Sequence, residues 1–400
     1  MKIVILAGTL TGNHGSEAMV TTCIHMVRER FPGATICVAT YYPREDREAL
    51  NARENGASDI YIYSCTPRCL VLNWFPGAWF AKAFPVTKKG GVRHFGGVRD
   101  LLGADAVLDV AGVSFIDDRE KFLPFNVLTL YPFLLHRIPV FKLSQAVGPF
   151  ESFWNRRAAT RFLTRVETVY ARGSRTLALI KNSGLPIPHA HAPDVTFCLG
   201  GDQTRPYTER TENTVAVLPS SLVMSKHPGY VADMARLIDS LCANGASVTL
   251  IAHSWRDSDH PRNNDLVAAN AIRALLKEPV PIKGPGMDAL RLREEISKHR
   301  LAVSSRFHGM IGALETETPV LVIGWSHKYL EVLEDFGFDG SVCFDYRTLE
   351  PERLLETARS LLADGPELSR RIQDRLEDVR SASRRQFDEI FSTLEGVEVE

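Results

Sequence analysis

Leu301-Ala-Val-Ser-Ser-Arg-Phe-His-Gly-Met-Ile-Gly-Ala-Leu-Glu-Thr-Glu-Thr-Pro-Val-Leu-Val-Ile-Gly324 is the stretch that decides how this chain folds. Leu301–Ser304 reads as a short buried strand and Pro319–Ile323 as a second, rich in β-branched residues. Met310–Glu317 reads as the helix between them. Ser305-Arg306-Phe307-His308-Gly309 then falls where a strand ends and a helix begins. Open α/β sheets bind ligands at the carboxyl ends of their strands. A helix N-terminus adds free N–H groups and the positive end of the helix dipole. Arg306 supplies a bidentate clamp for an anion, and His308 a donor that titrates near neutrality. With Ser305 and Gly309 beside them, these residues predict a pocket for phosphate or carboxylate.

Working outward, the same alternation fills the chain. Strands are expected at Lys2–Ala7, Thr35–Ala39, Asp105–Val110, Val140–Leu143 and Thr168–Ala171. Helices are expected at Ala18–Phe31, Leu123–Leu135, Phe153–Thr164 and Arg175–Ser183. Residues 200–213 are polar and turn-rich and read as a linker. A second set follows: strands Thr214–Leu218 and Ser247–Ala252, helices Tyr230–Asn244, Leu266–Leu276 and Met287–Lys298, then the opening stretch. Pro351–Ala363 and Pro366–Leu394 read as outer helices, each opening on a proline. The expected fold class is α/β: two Rossmann-like lobes facing a cleft, of GT-B type, at 1–199 and 214–350 with C-terminal helices at 351–400. The first lobe is expected to serve the acceptor and the second to hold the donor anion.

Composition narrows the function. The chain has 400 residues, 44% hydrophobic and 24% charged, with 47 basic against 48 acidic residues. That balance speaks against a nucleic-acid binder, which carries a basic excess or stripe. Seven scattered cysteines, with Cys65 and Cys69 the one close pair, offer no second pair for a zinc site and read as reduced thiols of a cytoplasmic protein. The glycine-rich loop Gly8–Glu17 matches neither the P-loop nor the dinucleotide fingerprint. Leu70–Val86 is the most apolar stretch, but Asn73, Pro76, Lys82 and Pro85 interrupt it. It reads as a packed loop or short helix; its aromatics Trp74, Phe75, Trp79, Phe80 and Phe84 would otherwise suit a membrane interface.

An ordered set of short elements resembles the polysaccharide pyruvyl transferase family. They are Gly12-Asn13-His14-Gly15-Ser16-Glu17-Ala18, Leu143-Ser144-Gln145-Ala146-Val147-Gly148-Pro149, Ala171-Arg172-Gly173-Ser174, Ala192-Pro193-Asp194 and Ser304-Ser305-Arg306-Phe307-His308-Gly309. The last is the most specific. Ala111-Gly112-Val113 stands where the family usually has a run of glycines, and Gly173 where it usually has an acid.

The resemblance implies transfer of a pyruvyl group from phosphoenolpyruvate to two hydroxyls of a sugar, giving a cyclic ketal and phosphate. It makes Arg306 and His308 the candidate catalytic pair, with His308 the acid that protonates the methylene carbon. Arg172 is the candidate second cation. Gly12, Asn13, Gly15 and Glu17 form a candidate substrate loop, Glu17 either activating an acceptor hydroxyl or favouring a helix dipole. Gln145 binds substrate or stitches loops; Asp194 is a base or a helix cap. His253 follows a strand of the second lobe and is placed to line the site. The scheme requires no cofactor and no metal. The expected partners are phosphoenolpyruvate and a sugar or lipid-linked glycan, with no nucleic acid, and contact at the periphery of the inner membrane face is the location that a lipid-linked acceptor would favour. A GT-B glycosyltransferase using a nucleotide sugar is the nearest alternative, though no acid suited to a ribose stands out. A non-catalytic anion-binding protein is the other.

Overall fold

The computed structural model describes residues 1–54, 59–83, 96–199, 205–256, 261–324 and 327–397. The chain divides into two compact units: Met1–Thr11, Met19–Leu199 and Ser381–Glu400 form the first, Gly12–Ala18 and Gly200–Arg380 the second.

The first unit carries strands β1 (Lys2–Leu6), β2 (Thr35–Thr40), β3 (Ile60–Ser64), β4 (Ala106–Asp109), β5 (Val113–Ile116), β6 (Val140–Gly148), β7 (Thr168–Ala171) and β8 (His189–His191). They pair in parallel in the order β3-β2-β1-β4-β6-β7-β8, with β5 attached to β6. Successive side chains of a strand point to opposite faces, and here both faces are covered. Ile3, Ile5, Ile36, Val38 and Leu108 join one apolar cluster, to which Phe387, Ile390 and Phe391 of the last helix contribute. Val4, Leu6, Cys37, Ala39 and Val107 join the other, with Trp74 and Phe133. Such strands therefore read as unbroken apolar runs rather than alternating ones.

The second unit carries β9 (Thr214–Leu218), β10 (Ser247–Ile251), β11 (Ile282–Lys283), β12 (Leu301–Ser304), β13 (Val320–Gly324) and β14 (Cys343–Asp345). All pair in parallel, in the order β11-β10-β9-β12-β13-β14. The order reverses between β9 and β12, and a crevice opens at the carboxyl ends of such neighbours. Ser304 of β12 pairs with Leu218 of β9, so the residues after each meet there.

Three expectations are corrected. The first helix, α1, runs His14–Arg30 and not from Ala18; Asn13 caps it, its Oδ1 accepting from the N–H groups of Gly15 (3.1 Å) and Ser16 (3.3 Å). The helix after β12 is Phe307–Glu315, three residues earlier than expected, so Arg306 is its capping residue. Strand β6 continues through Ser144 and Gln145 to Gly148. In the described part of the expected linker, Arg210 is buried, donating to Thr318 Oγ1 at 2.8 Å and to the His299 carbonyl at 3.1 Å. Residues 200–204 of that stretch lie outside the described residues.

Candidate active site

In the second unit, Ser305, Arg306, His308 and Gly309 follow β12 directly, at the reversal of strand order. Gly309 packs tightly beside Ser304 Oγ and Leu218. Ser305 donates its N–H to the Leu218 carbonyl at 2.9 Å, and its hydroxyl meets Tyr230 Oη at 2.7 Å. The Tyr230 phenol also accepts from the Ser220 N–H, while burial pushes its pKa up to about 12. Ser305 thus ties the end of β12 to the end of β9.

Arg306 forms a two-pronged pair with Asp265, Nε donating to Oδ2 at 2.8 Å and Nη2 to Oδ1. Asp265, fully buried at the head of the Asp265–Arg273 helix, also accepts from the N–H groups of Ser221 (3.1 Å) and Ser254 (2.9 Å). One carboxylate so ties together the ends of β9, β10 and β12. Burial pushes the Asp265 pKa up, against the pull of Arg306. Burial likewise works against the Arg306 charge, and Asp265 more than restores it. The Arg306 side chain keeps 19% of its surface exposed, and its bonds to Asp265 run through Nε and Nη2.

The loop from the first strand, Gly12–Ala18, belongs to this same unit. Asn13 bridges Ser254 in antiparallel fashion, Gly12 accepts from the Trp255 N–H at 2.8 Å, and the His14 N–H donates to the His253 carbonyl at 3.4 Å. Gly12 has φ +73° and lies against the Arg256 guanidinium. Gly15 lies against the His308 ring, a β-carbon there falling 2.8 Å from His308 Cβ and nearer still to the ring. His14 Nδ1 meets Glu17 Oε2 at 2.7 Å, and both residues are buried. His253 lies edge-on to His14, ring centroids 5.9 Å apart. Burial first, and then the neighbouring His14, His308, Arg306 and Arg293, hold the His253 pKa well below the ordinary histidine value, so it is neutral at pH 7.

Nine of the expected residues, Gly12, Asn13, Gly15, Glu17, His253, Ser305, Arg306, His308 and Gly309, are therefore gathered in one unit. Asp265, Tyr230 and His14 were not singled out by sequence. Lys328 was also missed; its Nζ lies 4.6 Å from the centroid of Phe307, the neighbour of His308.

Arg172, Gln145 and Asp194 sit in the first unit and are all buried. Arg172 donates from Nη1 to Asp194 Oδ2 at 2.7 Å and from Nη2 to the Gly112 carbonyl at 3.2 Å. Asp194 Oδ1 accepts from the Thr196 N–H and hydroxyl, capping a short 3-10 turn. Gln145 accepts from Ser114 Oγ at 2.6 Å and donates to Asp109, which pairs with Lys142. These three stitch the strand ends of the first sheet. Nearby, at the ends of β1 and β4, a cavity of about 240 Å³ is lined by Ala7, Ala111, Ser114, Phe115, Arg119 and Phe122.

Two solved structures share this architecture at low identity. The UDP-GlcNAc 2-epimerase of Neisseria meningitidis, solved bound to UDP-GlcNAc, superposes with a TM-score of 0.59 at 12% identity, over 98% of this chain and 100% of that one. HepE of Anabaena, solved with UDP and glucose, gives 0.60 at 13% identity, with 98% and 100% covered. These likenesses carry the fold, an α/β architecture of GT-B type. The amylovoran biosynthesis protein AmsJ of Erwinia amylovora is 20% identical, the match covering 95% of this chain and 96% of that protein. The family model for polysaccharide pyruvyl transferase matches residues 13–327, from the Asn13 cap through the Arg306–His308 element. The chain belongs to the polysaccharide pyruvyl transferase family.

Proposed function

We propose that this protein transfers a pyruvyl group from phosphoenolpyruvate to two hydroxyls of a sugar in an exopolysaccharide or its precursor, forming a ketal and releasing phosphate. One observation carries the reading: Arg306, preset by buried Asp265, and His308 stand together at a helix N-terminus, at the strand-order reversal of the second unit. A donor with a phosphate and a carboxylate needs several convergent positive groups. Arg306, the positive end of the Phe307–Glu315 helix dipole and Lys328 support such a site. His308 protonates the methylene carbon; a sugar hydroxyl attacks the cationic carbon formed; phosphate leaves and the second hydroxyl closes the ring. Proton transfer by a positioned group contributes about 10²–10⁴-fold, and fixed cations facing the departing phosphate add to it.

The cavity in the first unit suits the acceptor sugar. Phe115 and Phe122 offer apolar faces to a pyranose, and Ser114 and Arg119 offer polar edges. The same unit bears an apolar ridge. Val71, Leu72, Phe75, Trp79 and Phe80 are exposed, Arg68 and Lys82 flank them, and residues 66–83 contain no acid. This ridge docks on an anionic lipid surface, where a lipid-linked acceptor is held. Trp74, one of the aromatics that would suit an interface, is buried, in keeping with the packed short helix expected there, and Phe84 lies outside the described residues. No helix among the described residues is long and apolar enough to cross a membrane.

The alternative, a nucleotide-sugar donor, needs an acid for the ribose hydroxyls. Glu315, at the end of the helix that bears His308, is buried against Arg293. Calorimetry with phosphoenolpyruvate on the wild type and Arg306→Ala tests the proposal. Saturable binding lost in the variant supports it. Binding of UDP-sugars with none of phosphoenolpyruvate, acceptor present, moves the assignment to a glycosyltransferase.

A further inference from the structure

Ketal formation moves two protons besides building the ring. One hydroxyl proton ends on the former methylene carbon and the other on the departing phosphate. His308 can supply the first proton, but while it donates it cannot accept one from the attacking hydroxyl. A second group that starts deprotonated completes the cycle.

His14 has the geometry for it. It is 4% exposed, and its Nδ1 is held at 2.7 Å by the Glu17 carboxylate, three residues on along α1. Glu17 is itself 1% exposed, so it addresses the imidazole rather than an incoming sugar. His14 Nε2 is buried and has no hydrogen-bond partner among the described residues. A polar atom in that position costs stability unless a partner arrives. The next residue, Gly15, has its backbone against the His308 ring, so the first turn of α1 brings His14 into the neighbourhood of His308. The titratable groups placed beside it are Glu17 on its own helix and His253 after β10, with the His308 ring against the next residue; His253 in turn faces Arg306 and Arg293. His253 is neutral there and does not compete as a cation.

We infer that His14 is a second catalytic acid–base group of the pyruvyl transfer and that Glu17 is its positioning residue. The inference rests on the proposed function. In the first step His308 gives its proton to the methylene carbon, the sugar oxygen bonds to the adjacent carbon, and the hydroxyl proton passes to His14 Nε2. In the second step the carbon–phosphate oxygen bond breaks and phosphate takes the proton from His14. The second hydroxyl then attacks and returns its proton to His308. Both histidines end as they began.

The test uses the full-length protein in three arms. His14→Gln is expected to lower phosphate release from phosphoenolpyruvate and acceptor by 100-fold or more while phosphoenolpyruvate binding by calorimetry stays within about threefold. Glu17→Gln is expected to lower kcat by about tenfold with KM for phosphoenolpyruvate little changed, because the imidazole loses the partner that orients it; a merely structural Glu17 would leave kcat of the folded enzyme in place. Nitrogen-15 NMR of the wild type is expected to show the neutral His14 proton on Nδ1, toward Glu17. A His14→Gln enzyme within tenfold of wild type, or equal losses of binding and rate, overturns the inference. So does a neutral His14 protonated on Nε2, which decides even where a variant fails to fold. If the wild type neither binds nor consumes phosphoenolpyruvate, the pyruvyl-transfer reading fails, while the NMR arm still reports whether the His14–Glu17 pair exists.

Discussion

The Gly15 backbone lies against the His308 imidazole so closely that a β-carbon at position 15 would stand 2.8 Å from His308 Cβ, inside any real contact distance, and nearer still to the ring. The ring orientation is therefore set partly by a residue almost three hundred positions earlier. Gly15→Ala forces the imidazole to turn away. In isolation that change favours a helix by about 1 kcal/mol, so the thermal midpoint should move little. Rate should fall sharply, since a displacement of about 1 Å can cost around 10²-fold. Phosphate release and thermal melting on the same preparation check this; full activity in Gly15→Ala would refute the contact.

Arg306 owes its fixed geometry to Asp265. Breaking a buried pair by removing one charge typically costs about 3–5 kcal/mol, because the other charge is stranded. Asp265 also holds the Ser221 and Ser254 N–H groups, so Asp265→Asn should destabilise the second unit by at least that order. Arg306→Lys keeps the charge but loses the planar fork. It should melt closer to wild type than Asp265→Asn yet bind phosphoenolpyruvate more than about tenfold weaker. Denaturation and calorimetry on the two variants separate the roles; equal binding by Arg306→Lys and wild type would remove Arg306 from the donor site.

The strands around this site were legible because Thr214–Leu218 and Leu301–Ser304 are continuous apolar runs bounded by polar residues. Arg306 and His308 were legible because they sit beside one such run. Asp265 and Tyr230 were not, since they reach Arg306 and Ser305 only through the fold, 41 and 75 residues away. A carboxylate within a charged loop gives no local sign that it will be buried. His14 was passed over for a different reason: Asn13 is a good helix cap, and placing the start of α1 there makes His14 and Glu17 neighbours on its first turn. Gln145 and Asp194 carry motif positions but serve the interior of the first unit. Sequence shows that a polar residue matters there, not which way it points.

His253 sets the acid tolerance of the site. Its folded pKa lies well below 6.5, first from burial and then from the surrounding cations. Between the two pKa values the unfolded chain binds the proton that the folded chain refuses, so stability falls as pH drops below about 6.5. One such group contributes a slope of up to about 1.4 kcal/mol per pH unit. Chemical denaturation at pH 7.5 and pH 5.5 should show His253→Gln losing less stability on acidification than the wild type. Parallel losses in the two proteins would mean that His253 takes up its proton without resistance.

The ridge on the first unit makes a prediction about location. Leu72 and Trp79 are 63% and 54% exposed, with Phe75 beside them and Arg68 and Lys82 at the margins. Aromatic side chains favour the headgroup layer, and each basic residue near an anionic surface adds about 1 kcal/mol that salt screens away. Sedimentation with vesicles should therefore show binding to phosphatidylglycerol mixtures, weaker binding to phosphatidylcholine, and release at high salt. Phe75→Ala with Trp79→Ala should lower the partition at least tenfold, because both side chains are exposed and neither belongs to the apolar cluster around buried Trp74. Rate on a soluble sugar acceptor should be unchanged in that double variant, whereas rate on a lipid-linked acceptor in vesicles should fall with binding. Equal vesicle binding by the double variant and the wild type would show that the ridge serves something other than a lipid surface.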